Sequence, residues 1–288
     1  MSAKFGPAGN SDAFSAVHKS SLAAPQWIAE QGLDCYEYQC GKGVHVGEDT
    51  ARRVGENARK HGISLSLHAP YFINLANPDP DSLQKTIGYI TSACLVASQM
   101  GASRVVIHSG ALMKRTRREA LDTALRSLRE VIRTCDGQGF GHIALCPETM
   151  GKINQLGDLE EVLELCTLDE RLIPCIDFGH LYARSLGADD GAEAFGRMLD
   201  RVESVLGQSR ASVFHSHFSH IQFTPGGGEK CHRTFDDDDG YGPDWAPRAR
   251  AIARRGWSPT FICESAGTQA KDALTMKRIY QEVLTAQG

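Results

Sequence analysis

The chain has 288 residues, of which 41% are hydrophobic and 23% charged, and it carries a net charge of −4. That length exceeds an average domain but suits a single α/β barrel, and the apolar fraction fills a core of that size. No apolar run of about eighteen residues occurs, which excludes a membrane span, and the acidic balance argues against a nucleic-acid binder unless bound divalent cations reverse the local sign.

The nine cysteines are odd in number and show no pairing pattern. Cys146, Cys175 and Cys263 sit inside apolar runs and read as reduced core residues. The start, Met1-Ser-Ala-Lys-Phe-Gly, lacks the apolar centre of a signal peptide. A cytoplasmic protein is expected.

Taken in chain order, Phe5 ends a short first strand that leads into the loop Gly6 to Asn10. Ala24 to Gln31 is helical, with Pro25 suited to a first turn. Leu33 to Tyr38 is a second strand, followed by the glycine-rich loop Cys40 to Gly47. Asp49 caps a helix over Thr50 to His61, which ends at Gly62. Strand three is Ile63 to His68, and a helix from about Asp81 to Met100 closes at Gly101. Strand four, Val105 to His108, is followed by an amphipathic helix from Arg117 to Thr134. Strand five is Ile143 to Glu148, and a helix spans Asp158 to Cys166. Strand six runs from Leu172 to Ile176 and ends in Asp177. Helix Ala192 to Leu206 precedes strand seven, Val213 to Phe218. Helix Trp245 to Arg255, strand eight at Thr260 to Glu264, and helix Lys271 to Thr285 complete the chain. This alternation, with no linker or low-complexity segment, predicts one (β/α)₈ barrel over residues 1–288.

Six of these runs finish in a residue that binds metals: His68, His108, Glu148, Asp177, His217 and Glu264. Strand C-termini share one face of a barrel, and catalytic residues sit there. Any one of these histidines is more often a hydrogen-bonded structural residue, and Asp177 read alone is a helix cap. Their convergence favours metal, because carboxylates ending buried strands are costly without a cationic partner. His180 follows Asp177 by one short turn. In an extended strand His215 and His217 share a face, His217 being the ligand and His215 a supporting residue, while His220 points away. The loop Pro225 to Arg233 is read as flexible, with His232 as a further ligand. Cys231 is a soft candidate whose position does not aim it inward. Lys114, Arg115, Arg117 and Arg118 follow strand four on the same rim, where phosphate contact and a solvated helix start stand as alternatives. Asp236 to Asp239 reads as a solvated loop.

These segments resemble the endonuclease IV family of apurinic/apyrimidinic endonucleases. Leu67-His-Ala-Pro-Tyr-Phe-Ile-Asn-Leu75, Val106-Ile-His-Ser-Gly110, Pro147-Glu-Thr149, Cys175-Ile-Asp-Phe-Gly-His180 and Cys263-Glu-Ser265 are similar to its motifs, over about Gly62 to Glu264. The resemblance implies a (β/α)₈ barrel with zinc (two to three ions, manganese or another divalent metal being the alternative). It implies hydrolysis of the phosphodiester 5′ to abasic sites in double-stranded DNA by a monomer. By the same resemblance His68, His108 and Glu148 hold one ion. Glu148 also holds a second with Asp177, His217 and Glu264, and is the residue on which catalysis turns. His180 and His232 hold the third. The family has an Asp two positions before the last His, where this chain has Lys230, and Glu229 is expected to take that role. Tyr71, Lys114, Arg115 and Lys230 are the expected DNA contacts. The second strand's loop is glycine-rich, unlike the polar and aromatic loop with which the family probes DNA. The rival expectations are a sugar isomerase or epimerase on a xylose-isomerase-like barrel and a non-catalytic metal- or DNA-binding protein.

Overall fold

Eight parallel strands line up in the order β1-β10-β7-β6-β5-β4-β3-β2, and a two-stranded hairpin, β8-β9, stands beside them. Their ranges are β1 (Lys4–Pro7), β2 (Cys35–Gln39), β3 (Ser64–His68), β4 (Arg104–His108), β5 (Ala144–Glu148), β6 (Cys175–Asp177), β7 (His215–Phe218), β8 (His220–Thr224), β9 (Gly228–Arg233) and β10 (Thr260–Cys263). The structure, a computed structural model, describes residues 2–188 and 190–287. The sheet closes on itself between β1 and β2. Ala8 and Glu37 form a parallel bridge there, and the Gly9 N–H donates to the Glu37 carbonyl at 2.9 Å. Gly6 permits this seam, since a Cβ at that position would lie 1.8 Å from the Cys35 carbonyl oxygen. The fold is the expected (β/α)₈ barrel.

Around it run α1 (Asp12–Val17), α2 (Ala24–Glu30), α3 (Glu48–His61), α4 (Pro80–Met100), α5 (Arg117–Gly137), α6 (Leu159–Cys166), α7 (Phe178–Arg184), α8 (Ala192–Leu206), α9 (Gln208–Ala211), α10 (Trp245–Arg255) and α11 (Gln269–Gln287). Local chemistry sets several of their ends. Thr116 with Glu119, and Asp158 with Glu161, form complete capping boxes at the starts of α5 and α6. Among the described residues no helix is long and apolar enough to cross a membrane.

The outer faces of the strands pack on the helices through buried aromatics. Phe5 stacks on Phe261 with ring centroids 5.5 Å apart, and Trp245 meets Phe261 edge-on at 4.8 Å. Inside the barrel the residues that alternate inward are mixed. Val106, Cys146 and Cys175 make a small apolar cluster, while Glu37, Ser66, His215 and His217 bring polar groups into the same interior.

Several segments depart from the sequence expectation, and α3 starts at Glu48 behind Gly47, so that Asp49 lies in its first turn instead of capping it. Strand seven begins at His215 rather than Val213, because the Val213 and Phe214 amides donate back to Arg210 and Ala211 in a turn. The stretch expected as a flexible loop, Pro225 to Arg233, instead carries β9 of an antiparallel hairpin with β8. Helix α7, absent from the expected chain of elements but matching the reading of Asp177 as a helix cap, starts where the Asp177 carboxylate accepts from the His180 N–H at 2.7 Å. Asp177 is thus both a helix cap and a strand-end carboxylate.

Candidate metal centre

Glu148 at the end of β5 is 1% exposed and sits at the middle of the barrel mouth. Its Oε2 lies 3.2 Å from His68 Nε2 on β3 and 3.2 Å from His108 Nε2 on β4. Its Oε1 lies 3.0 Å from His217 Nδ1 on β7 and 3.5 Å from His180 Nδ1 on α7. Glu264, just past β10, approaches His217 Nδ1 to 3.6 Å. Four groups result among the described residues: His68, Glu148 and His217; Glu148, Asp177, His217 and Glu264; Cys175, His215 and His217, which share His217 with the first two; and, separate from these, His180, Glu229 and His232. In each, one donor atom per residue lies within 4.8 Å of the others.

The histidine rings are held by what lies behind them. His68 Nδ1 donates to the Ala69 carbonyl at 2.7 Å, and His108 Nδ1 to the Tyr71 carbonyl at 3.0 Å. His180 Nδ1 donates to the Thr149 carbonyl at 2.8 Å. A carbonyl only accepts, so each of these nitrogens carries the proton, and the Nε2 lone pair is the one offered to the mouth. His217 is turned the other way, with Nε2 donating to Glu37 Oε1 at 2.9 Å and Nδ1 facing Glu148. Anchoring of the far nitrogen is how metal-binding histidines are usually oriented. Among the described residues Asp177 Oδ2 is buried without a hydrogen-bond partner, its nearest imidazole nitrogen being His180 Nδ1 at 3.3 Å, whose proton goes to the Thr149 carbonyl. An unsatisfied carboxylate oxygen among imidazoles fits a divalent cation.

The group of His180, Glu229 and His232 depends on the hairpin. Glu229 pairs with Phe223 and Cys231 with Gln222, so Lys230 has no opposite residue and forms a bulge. Without the bulge, Glu229 and His232 would point to opposite faces; the extra residue brings both inward and leaves Lys230 exposed. The hairpin docks on the segment after β5, where the Glu229 N–H donates to the Gly151 carbonyl at 3.1 Å. A side chain at 151 would collide with the hairpin, since a Cβ there would meet Glu229 Cβ at 2.7 Å. Glu229 Oε2 comes within 3.6 Å of His180 Nε2, and His232 Nδ1 bonds Ser219 Oγ at 2.8 Å. Cys231 Sγ is held by Gln222 instead. His220 stacks on Phe235, away from the mouth.

His68, His108, Glu148, His180, Glu229, His232 and Glu264 line a cavity of about 330 Å³ together with Gln39, Gly41, Tyr71, Met150, Lys152 and Gln155. Tyr71 is 58% exposed at its edge. The basic cluster after β4 divides. Arg117 pairs with Glu161 at 2.5 Å and Arg118 with Glu164 at 2.9 Å. Arg115, expected at the DNA, hydrogen-bonds the Ala76 carbonyl and Thr123 Oγ1, so its guanidinium braces the loop before α4. Lys114 remains exposed.

Sequence reasoning missed Glu37. Its carboxylate is fully buried beneath His217 and also contacts His215 Nε2 at 2.9 Å. A glutamate inside the apolar strand from Leu33 was the available signal, but nothing local tells which strand it faces.

Electrostatics follow from this crowding. Burial opposes charge on His68, yet Glu148 and Glu37 outweigh it and bring the imidazole up to about 9. Burial likewise opposes charge on His180, and Asp177, Glu229 and Glu148 bring it up to about 9. Burial and the neighbouring Arg104 leave His215 at about 4 despite Glu37. Burial pushes Asp177 upward against the pull of His180. The raised histidines favour the metal-free fold fully below their ordinary value, and that contribution fades as pH rises through about 9. A metal ligand must be unprotonated. Adding zinc to the metal-free protein at pH 7.5 in weak buffer is therefore expected to release protons, at least about one per chain. Binding should weaken as pH falls. An indicator dye reads the release, and a pH-independent affinity with no acidification would contradict it.

A family model described as a xylose isomerase-like TIM barrel matches residues 25–282. An uncharacterised protein of Methanocaldococcus jannaschii is 30% identical over 256 residues, covering 89% of this chain and 90% of that one. A probable endonuclease 4 of Acholeplasma laidlawii is 27% identical over 165 residues, so the match spans 54% of this chain and 54% of that relative. Among solved structures, a D-tagatose 3-epimerase-like protein superposes with a TM-score of 0.72 at 20% identity, covering 99% of each chain. Endonuclease IV from Thermus thermophilus superposes with a TM-score of 0.66 at 18% identity, covering 98% of this chain and 99% of that one. At those identities the two structures speak for the fold.

Proposed function

The chain belongs to the xylose isomerase-like TIM barrel family, and from that premise we propose that it is a metal-dependent endonuclease of DNA repair, hydrolysing the phosphodiester 5′ to abasic sites. The observation that carries this reading is the chain of three ligand groups through Glu148 and His180. On this reading His68 and His108, both 3.2 Å from Glu148 Oε2, would hold one ion with Glu148; Glu148, Asp177, His217 and Glu264 would hold a second, and His180, Glu229 and His232 a third. The excess of imidazole over carboxylate suits zinc. Bound divalent ions would neutralise the phosphodiester and make water a competent nucleophile near neutral pH.

The chain's own residues supply the rest. Glu148 brings one negative charge between two ligand groups, and the backbone anchors of His68, His108 and His180 fix where each imidazole lone pair points. Tyr71 stands at the mouth, where its ring can lie against an extrahelical sugar. Lys114, Lys152 and Lys230 are exposed and serve as phosphate contacts. The free cysteines suit a reducing, cytoplasmic setting, and the substrate reaches the open mouth of a single chain. The competing reading is a sugar epimerase, supported by fold likeness; the His68–His108 pair and the hairpin ligands exceed what one ion needs. Parallel assays on a duplex with one abasic site and on ketose sugars decide between them. Cleavage 5′ to the lesion without ketose turnover is the expected result, and the converse overturns it.

The hairpin assignment makes a separate prediction. Glu229→Ala is expected to lower the bound-metal count by up to one ion per chain and to impair cleavage. Lys230→Ala is expected to leave the count alone while weakening DNA binding at low salt. Elemental analysis of both variants reads this out. Equal metal in the wild type and Glu229→Ala would show that Glu229 is only a solvated neighbour.

A further inference from the structure

Below the strand-end ligands lies a carboxylate that touches none of the reacting groups. Glu37 on β2 is fully buried. Its Oε1 receives His217 Nε2 at 2.9 Å and Gln39 Nε2 at 3.2 Å. Its Oε2 receives His215 Nε2 at 2.9 Å and Ser66 Oγ at 2.8 Å. Only an ionised carboxylate accepts from four donors at once. The protonation of His215 is set from its other side, where Arg104 Nη1 stands 3.5 Å from Nδ1. A guanidinium only donates, so Nδ1 accepts and the His215 proton sits on Nε2, facing Glu37. Arg104 is itself tied to the Val213 carbonyl at 2.8 Å. The donors in the row Arg104–His215–Glu37–His217 therefore converge on Glu37, from the fixed cation through His215 on one side and from the ligand ring of His217 on the other.

We propose that Glu37 is a positioning residue of the metal centre. By accepting from His217 Nε2 it fixes the ring with Nδ1 toward Glu148 and Glu264, and its charge strengthens that nitrogen as a donor to metal. Loss of the anchor lets the imidazole rotate or place its proton on the coordinating nitrogen. The inference rests on the metal centre proposed above and is independent of the substrate assigned to it.

The test is metal binding by the full-length protein, measured by chelator competition and elemental analysis. Glu37→Gln keeps the shape but turns an N–H toward one of the two imidazoles. It is expected to weaken metal binding by about 10- to 100-fold. Glu37→Asp keeps the charge but falls short of one histidine, and an intermediate loss is expected; this variant also serves if Glu37→Gln does not fold. Ser66→Ala disturbs the same buried layer without removing the anchor and is expected to lose less affinity than Glu37→Gln. Melting of the metal-free proteins records the purely structural cost separately. Wild-type affinity in both Glu37 variants overturns the proposal, as does a Ser66→Ala loss equal to that of Glu37→Gln. A wild-type protein that binds no metal overturns the metal centre as well, whereas failure to cut abasic DNA touches only the substrate assignment.

Discussion

Replacing Glu148 by Gln is expected to lower abasic-site cleavage by about 10³-fold or more, with the fold intact. Both carboxylate oxygens are engaged, Oε2 near His68 and His108 and Oε1 near His217 and His180. Glutamine fills the same volume, so packing against the barrel wall survives. The charge shared by two ligand groups is lost, and one oxygen becomes an N–H₂ that faces a histidine nitrogen meant for metal. Burial works against ionising Glu148, and the surrounding histidines overcome it to hold the group well below the usual carboxylate range. An uncharged substitute gains nothing from that field. The informative measurements are kcat/KM on an abasic duplex, bound metal, and thermal melting of the same preparation. Near-wild-type turnover in a correctly folded Glu148→Gln protein would show that the mouth is organised around some other residue.

Metal removal is expected to have an effect of similar size. Exhaustive chelation should abolish cleavage, and stoichiometric zinc or another divalent ion should restore it. Asp177, Glu148, His68, His180 and His217 are all buried, so extraction is expected to be slow and to need a strong chelator. Without metal, Asp177 Oδ2 has no hydrogen-bond partner among the described residues, and the protonated histidines satisfy the other carboxylates only in part. The stripped protein should accordingly melt at a lower temperature, by the usual linkage between ligand binding and folding. Full activity in a preparation shown by elemental analysis to contain no metal would end the metallohydrolase reading.

What was legible in the sequence was local. An apolar run that stops at a His, Glu or Asp marks a buried strand and its C-terminal residue. Six such endings, His68, His108, Glu148, Asp177, His217 and Glu264, meet at one barrel mouth. Strand period 2 also placed His215 and His217 on one face, where both reach Glu37. The caps of α5 and α6 and the Asp177 turn are likewise properties of a few consecutive residues. What remained hidden depends on groups far apart in the chain. Glu37 meets His217 across 180 positions, and that pairing exists only once the barrel closes between β1 and β2. Arg115 looked like a free cation because the Ala76 carbonyl that captures it lies 39 residues earlier. Glu229 and His232 share a face because the pairing with β8 leaves Lys230 over as a bulge, and strand register is decided by the partner strand rather than by the segment's own composition.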